Sequence, residues 1–177
     1  MTVFHAVLAF VALQRGCELV LAATNTRRLL RQGAVEIDRA DYKWFVLLHA
    51  AWLAALLVFV PAATPPNLPL LALFCALQAG RIWVIASLGR RWTTRLIVLP
   101  GAPLVTHGPY RWVSHPNYLI VLGEVAILPL AFAAVAIAVG FSACNVALLA
   151  RRIRREERAL GRHSYHIRET LPRRNSL

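Results

Sequence analysis

Tyr118–Ala150 reads YLIVLGEVAILPLAFAAVAIAVGFSACNVALLA, a run of 33 residues with one formally charged side chain, Glu124. A helix that crosses a bilayer needs about 17–25 mostly apolar residues, so this run is too long for one crossing. Pro129 interrupts it. The run therefore predicts two short helices in a hairpin, about 116–128 and 131–150. Backbone N–H groups in lipid need partners inside the segment, which requires helices.

Three further runs lie upstream, at Val3–Ala23, Trp44–Val60 and Leu68–Leu88. The composition agrees, with 58 % hydrophobic and 16 % charged residues and a mean hydropathy of +0.55. The predicted fold is an all-α integral membrane protein with five transmembrane helices. One membrane domain spans 1–177, with spans near 3–23, 44–60, 68–88, 116–128 and 131–150. Val3–Ala23 lacks a basic start, carries Arg15 and Glu18, and is expected to be retained rather than cleaved.

The basic residues give the orientation. Of 20 Lys and Arg, 18 fall in three clusters, Arg27–Lys43, Arg90–Arg111 and Arg151–Arg174. The alternate breaks, Pro61–Pro69 and the Pro129 turn, carry none. Positive loops stay on the cytoplasmic side, so the N-terminus is expected outside and the C-terminus in the cytoplasm. Flanking charge of this kind accounts for the net charge of +12 without a nucleic acid, and membrane lipids are the natural partners. The three cysteines, Cys17, Cys75 and Cys144, lie inside spans with no metal-ligand spacing.

Between the spans, Thr24–Tyr42 is predicted to fold as a short interfacial helix. Arg90–Ser114 contains Pro100, Gly101, Pro103, Gly108 and Pro109 and cannot be one helix. Its apolar run Leu96–Leu99 is expected at the membrane surface. The last helix continues out of the membrane through Arg151–Leu160.

Ionisable residues within spans are costly and are functional or paired. Arg15 and Glu18, three residues apart, can pair with each other. Arg81 has no acid within a helical turn; Gln78 shares its face. It either snorkels or presents a fixed positive fork. Glu124 shares a stripe with Asn117, and Asn145 shares one with Arg152 and Glu156. The densest motif is Gly108-Pro109-Tyr110-Arg111-Trp112-Val113-Ser114-His115-Pro116-Asn117-Tyr118, directly before a span, and after the hairpin comes Arg152-Ile153-Arg154-Arg155-Glu156-Glu157 with Leu160.

Taken together, these segments resemble the isoprenylcysteine carboxyl methyltransferase family of integral membrane enzymes, in its small bacterial branch. The family pattern has Gly-x-Tyr, Arg-His-Pro-x-Tyr, a hairpin and Arg-x-x-x-Glu-Glu-x-x-Leu. The resemblance implies S-adenosylmethionine as cofactor. It would be bordered by Gly108, Pro109, Tyr110, Arg111, His115, Pro116, Asn117 and Tyr118 and held by Arg152, Glu156 and Glu157, in the cytoplasmic segments 90–115 and 151–177. Arg81, eight residues before Gly89, matches an arginine that the family places near the methyl acceptor. Glu124 joins it as a catalytic candidate, and Gln78 and Asn145 are candidates for contact with substrate; no metal is implied. Ser114 departs from the family arginine, and the chain keeps only Tyr165 of a later aromatic pair.

The resemblance implies transfer of a methyl group to a lipophilic acceptor. A long-chain alkylresorcinol or alkylpyrone hydroxyl is the preferred reading, with a polyketide synthase as supplier. The alternatives are a carboxylate on a prenylated cysteine or isoprenoid acid, and phospholipid N-methylation. A small scaffold or transporter subunit is the non-enzymatic alternative; five spans without inverted repeats argue against a transporter.

Overall fold

The computed structural model describes residues 2–37 and 42–170, with side chains as far as Glu156. Arg39, Glu157, Leu160 and Tyr165 therefore lie outside the described residues or side chains. Five helices dominate: α1 (Val3–Arg31), α2 (Tyr42–Phe59), α3 (Leu68–Leu88), α4 (Pro116–Ala131) and α5 (Val135–Thr170). Among the described residues, α1, α2, α3 and α5 are long and apolar enough to cross a membrane. At 16 residues, α4 is about 24 Å long, short of a hydrocarbon core of about 30 Å. The chain is an all-α membrane protein with four such helices and a shorter fifth.

Local chemistry sets the ends. Asn67 caps α3, its side chain accepting from Leu70 N–H at 3.1 Å, and Pro69 sits in the first turn, where no donor is needed. Gly89, at φ +51°, closes it. The reversal between α4 and α5 falls at Phe132–Ala134, with Ala133 at φ 57°. The turn expected at Pro129 is thus three residues too early. Pro129 stays inside the last turn of α4.

One further expectation is corrected. No interfacial helix forms in Thr24–Arg31, because α1 continues unbroken to Arg31. That stretch holds no Gly or Pro, and Arg28 and Arg31 in the last turn complement the helix dipole. Gly33, at φ 87°, then turns the chain into β1 (Val35–Glu36). It pairs antiparallel with β2 (Ile97–Val98), Val35 opposite Val98. The apolar run Leu96–Leu99 thus forms a strand, braced by Arg95, which donates to Glu36 at 3.1 Å.

The helices pack in the order α3, α4, α5, α2, with α1 against α2. Phe4, Val11, Trp52, Leu56, Phe74, Val125 and Leu128 fill the core away from the Arg-rich end. At the Arg-rich end, Ala22, Val84 and Trp92 form a smaller core. Buried Asn25 in α1 latches the two parts, its amide donating to the carbonyls of Gly89 (3.2 Å) and Trp92 (2.8 Å). Asn25→Leu strands both carbonyls and should destabilise the fold by about 1–3 kcal/mol. Thermal unfolding in detergent checks this, and an unchanged midpoint would show that the latch is dispensable.

Candidate functional site

The site has two polar layers. The deep one joins α1, α3 and α4. Arg81 Nε–H donates to Glu124 Oε1 at 2.8 Å, and Arg81 Nη2 pairs with Glu124 Oε2. Arg81 Nη1 reaches Glu18 Oε2 at 3.2 Å. Arg15 bridges the same two acids, at 2.7 Å to Glu18 and 2.5 Å to Glu124. Gln78 Nε2 donates to Glu124 Oε1 at 2.9 Å, and Gln14 Nε2 to Glu18 Oε1 at 3.0 Å. Arg81 is 3 % exposed and Glu124 1 %. Two arginines and two glutamates sum to zero charge, the condition under which such groups tolerate lipid depth.

Arg81 therefore neither snorkels nor stands unpaired. Its fork is spent on acids from two other helices. Sequence reasoning joins Arg15 only to Glu18 and misses their link to Glu124 and Arg81. The signal is available as a count: these four are the only Arg and acidic residues inside the proposed spans, and they balance.

The second layer lies at the start of α4 and the Arg-rich part of α5. Arg152 Nε–H donates to Tyr118 Oη at 3.0 Å, and Tyr118 O–H donates to Glu156 Oε2 at 2.6 Å. The Arg152 guanidinium also lies over the rings of Phe45 and Tyr118, 5.2 and 5.8 Å from their centroids. His115 stacks on Tyr118 at 5.2 Å with a 15° tilt, and its Nδ1 is 3.8 Å from Glu156. Pro116 opens α4. Asn117 Oδ1 is buried without a partner.

Beside this layer, Gly108–Arg111 forms a 3-10 turn against α3. Gly108 has φ 60°, where a side chain is strained, and a Cβ there would require the Ser87 hydroxyl to move. Pro109 is buried. Burial, assisted by the Glu156 carboxylate, pushes the Tyr110 hydroxyl up to about 12, so it stays protonated and able to donate. Arg111 is exposed, 6.0 Å from the Trp112 ring.

Arg152 also fixes the register of the layers. Six residues along α4 from Tyr118 lies Glu124, seven along α5 from Arg152 lies Asn145, and seven along α2 from Phe45 lies Trp52. At 1.5 Å per residue each is about 9–10.5 Å deeper. Asn145 is thus level with Glu124 but not bonded to it: both of its amide atoms, and Trp52 Nε1, are buried without partners. His49, one turn from Trp52, has no signal in the sequence. Its Nδ1 is 2.8 Å from the Phe45 carbonyl, which can only accept, so a neutral His49 carries its proton there and leaves Nε2 basic. Among the described residues no group of His, Cys, Asp and Glu is arranged to hold a metal.

The isoprenylcysteine carboxyl methyltransferase family profile matches residues 70–162, from α3 through the second layer. The chain is 34 % identical over 165 residues to the uncharacterized protein YpbQ of Bacillus subtilis (strain 168), covering 91 % of this chain and 98 % of the relative. No solved structure matches. On these grounds the chain belongs to the isoprenylcysteine carboxyl methyltransferase family of membrane methyltransferases.

Proposed function

We propose that the protein is an S-adenosylmethionine-dependent O-methyltransferase acting on a lipophilic hydroxyl, with a long-chain alkylresorcinol or alkylpyrone as acceptor. The site would face the cytoplasm from a bacterial inner membrane, and a polyketide synthase would supply the acceptor. The observation that carries the cofactor assignment is the second layer. It offers one cation, Arg152, and one anion, Glu156, bracketing the Tyr118 hydroxyl, which suits the carboxylate and ammonium of an amino acid. The stacked His115–Tyr118 pair offers an aromatic face for a purine. Asn117 Oδ1, buried and unpartnered, would be satisfied by a ribose hydroxyl or an exocyclic amine. When bound, the cofactor supplies an activated methyl on a sulfonium.

The chain's own task is positioning. The deep layer is already neutral and has no spare cation, so a carboxylate acceptor beside it would add a negative charge that the cofactor sulfonium alone would offset. A neutral hydroxyl adds none, but its proton must leave. The oxygens of Glu124 and Glu18 are held by Arg and Gln donors, which makes them poor receivers. The imidazoles of His49 and His115 are the better ones.

Titration calorimetry with S-adenosylmethionine in lipid nanodiscs tests this reading. Low-micromolar binding by wild type and a loss of about 1–3 kcal/mol in His115→Ala and Glu156→Ala are expected; no heat of binding from the wild type would refute it. The orientation is tested separately, with a cysteine at Asn67 in a background lacking Cys17, Cys75 and Cys144. It should label from outside the cell membrane, and labelling from the cytoplasm alone would reverse the topology.

A further inference from the structure

The segment between α3 and α4 treats its large apolar side chains in two ways. Trp92 and Leu96 are buried. Leu104 is 72 % exposed and Trp112 69 %, with Val113 exposed beside it. Single exposures of this kind are ordinary on a water-facing loop, but Trp112 is not isolated. Its ring centroid lies 5.7 Å from that of Trp83 in α3. Trp83 and its neighbour Ile82 are exposed as well, on the outer face of that span.

Depth decides what such a patch meets. With 21 residues, α3 is about 31 Å long, which matches a hydrocarbon core of about 30 Å. Trp83 comes five residues before the helix ends at Leu88, about 7.5 Å inside it. The Gly108–Arg111 turn rests on the same stretch: the place a Cβ would take at Gly108 is 3.5 Å from Trp83 Nε1 and nearer still to Ser87. Arg91, just past α3, donates to the Pro103 carbonyl at 2.6 Å and so holds the neighbouring Leu104 by the helix end. The segment therefore folds back along α3 until Trp112 is level with a residue of the span.

An aromatic pair at that depth with a cation at its edge suits the interfacial zone of a bilayer, where Trp rings and Arg stems bridge acyl chains and phosphates. Arg111 supplies the cation, exposed and 6.0 Å from the Trp112 ring. The patch is also continuous with Ile82 and Trp83, which already face lipid on α3.

We infer that Leu104, Trp112 and Val113, together with Trp83, form a membrane-binding surface at the boundary of headgroups and acyl chains, with Arg111 directed to the phosphates of anionic lipid. The Gly108–Arg111 turn is then held between α3 and the bilayer instead of standing in the cytoplasm. The surface is independent of what the protein methylates.

Val113→Cys and Leu104→Cys, each in a background lacking Cys17, Cys75 and Cys144, are spin-labelled in nanodiscs of phosphatidylglycerol and of phosphatidylcholine. Oxygen partitions into apolar surroundings, so both labels should collide with it at least about threefold more often than with a water-soluble nickel chelate. The preference should be larger in phosphatidylglycerol, and Arg111→Gln should remove that difference. Trp112→Glu should reverse the preference at Val113, because a carboxylate is costly at that depth, whereas Trp112→Phe should keep it. Labels reached first by the nickel chelate would put the segment in water and overturn the inference. Labels reached by neither reagent, or coupled to the label of a second copy, would overturn it too, since protein would then cover the patch. So would equal preference in the two lipids, or an unchanged preference in Trp112→Glu. If Trp112→Glu does not fold, the two labels in the otherwise unsubstituted chain decide alone.

Discussion

Glu124→Leu is expected to destabilise the protein by about 3–5 kcal/mol, and Arg81→Met/Glu124→Leu to recover most of that loss. The reason is charge rather than bond count. Hydrogen bonds between membrane helices average only about 0.6 kcal/mol, so losing the contacts of Glu124 to Arg81, Arg15 and Gln78 is not by itself decisive. Leucine at 124 leaves two arginines facing only Glu18 at a buried depth, and that uncompensated buried charge costs more than the lost bonds. The double variant leaves Arg15 with Glu18, three residues apart and 2.7 Å between charged atoms, and is neutral again. Thermal unfolding in nanodiscs for wild type, both singles and the double measures the coupling. A double variant as unstable as the sum of the singles would show that the four groups are not one charge-balanced unit.

Tyr118→Phe should lower S-adenosylmethionine affinity by about tenfold to a hundredfold. It keeps the ring that stacks on His115 at 5.2 Å and removes only the hydroxyl. That hydroxyl takes one hydrogen bond from Arg152 and gives one to Glu156. Both partners are charged, and such bonds contribute about 1.5–3 kcal/mol each, part of which water at this half-exposed layer would restore. Arg152 and Glu156 would lose the spacer that keeps the cation and the anion at a fixed separation. Calorimetry checks the affinity, and thermal unfolding measures the part of the loss that falls on the fold itself. Affinity within twofold of wild type would mean that the bracket is structural.

Much of this arrangement is legible in the residues. The bounds of α3 coincide with the run Leu68–Leu88, because Asn67 and Pro69 start the helix and Gly89 stops it. The Gly108–Tyr118 motif and Arg152–Glu156 converge in one layer because α4 and α5 form the hairpin that the apolar run implies. What escapes is long-range or permissive. Thr24–Arg31 is polar and resembles a loop, yet nothing in it breaks a helix before Gly33. Pro129 looks like a turn, but α4 runs two residues past it, to Ala131, before the chain reverses. Arg81 looks unpaired on its own helix because its partners are 43 and 63 positions away in sequence. The roles of Gln14, His49 and Trp52 follow only from the neighbours that packing brings to them.

The deep layer also bears on the order in which the chain enters the membrane. Synthesis runs from the N-terminus, so Arg15 and Glu18 emerge together and offset one another from the start. Arg81 has no such companion at birth: its main partner, Glu124, is made 43 residues later. Until then only Glu18, already shared with Arg15, can offset its charge. On that order of synthesis the charge balance of the deep layer is complete only once Glu124, on the short fourth helix, has been made.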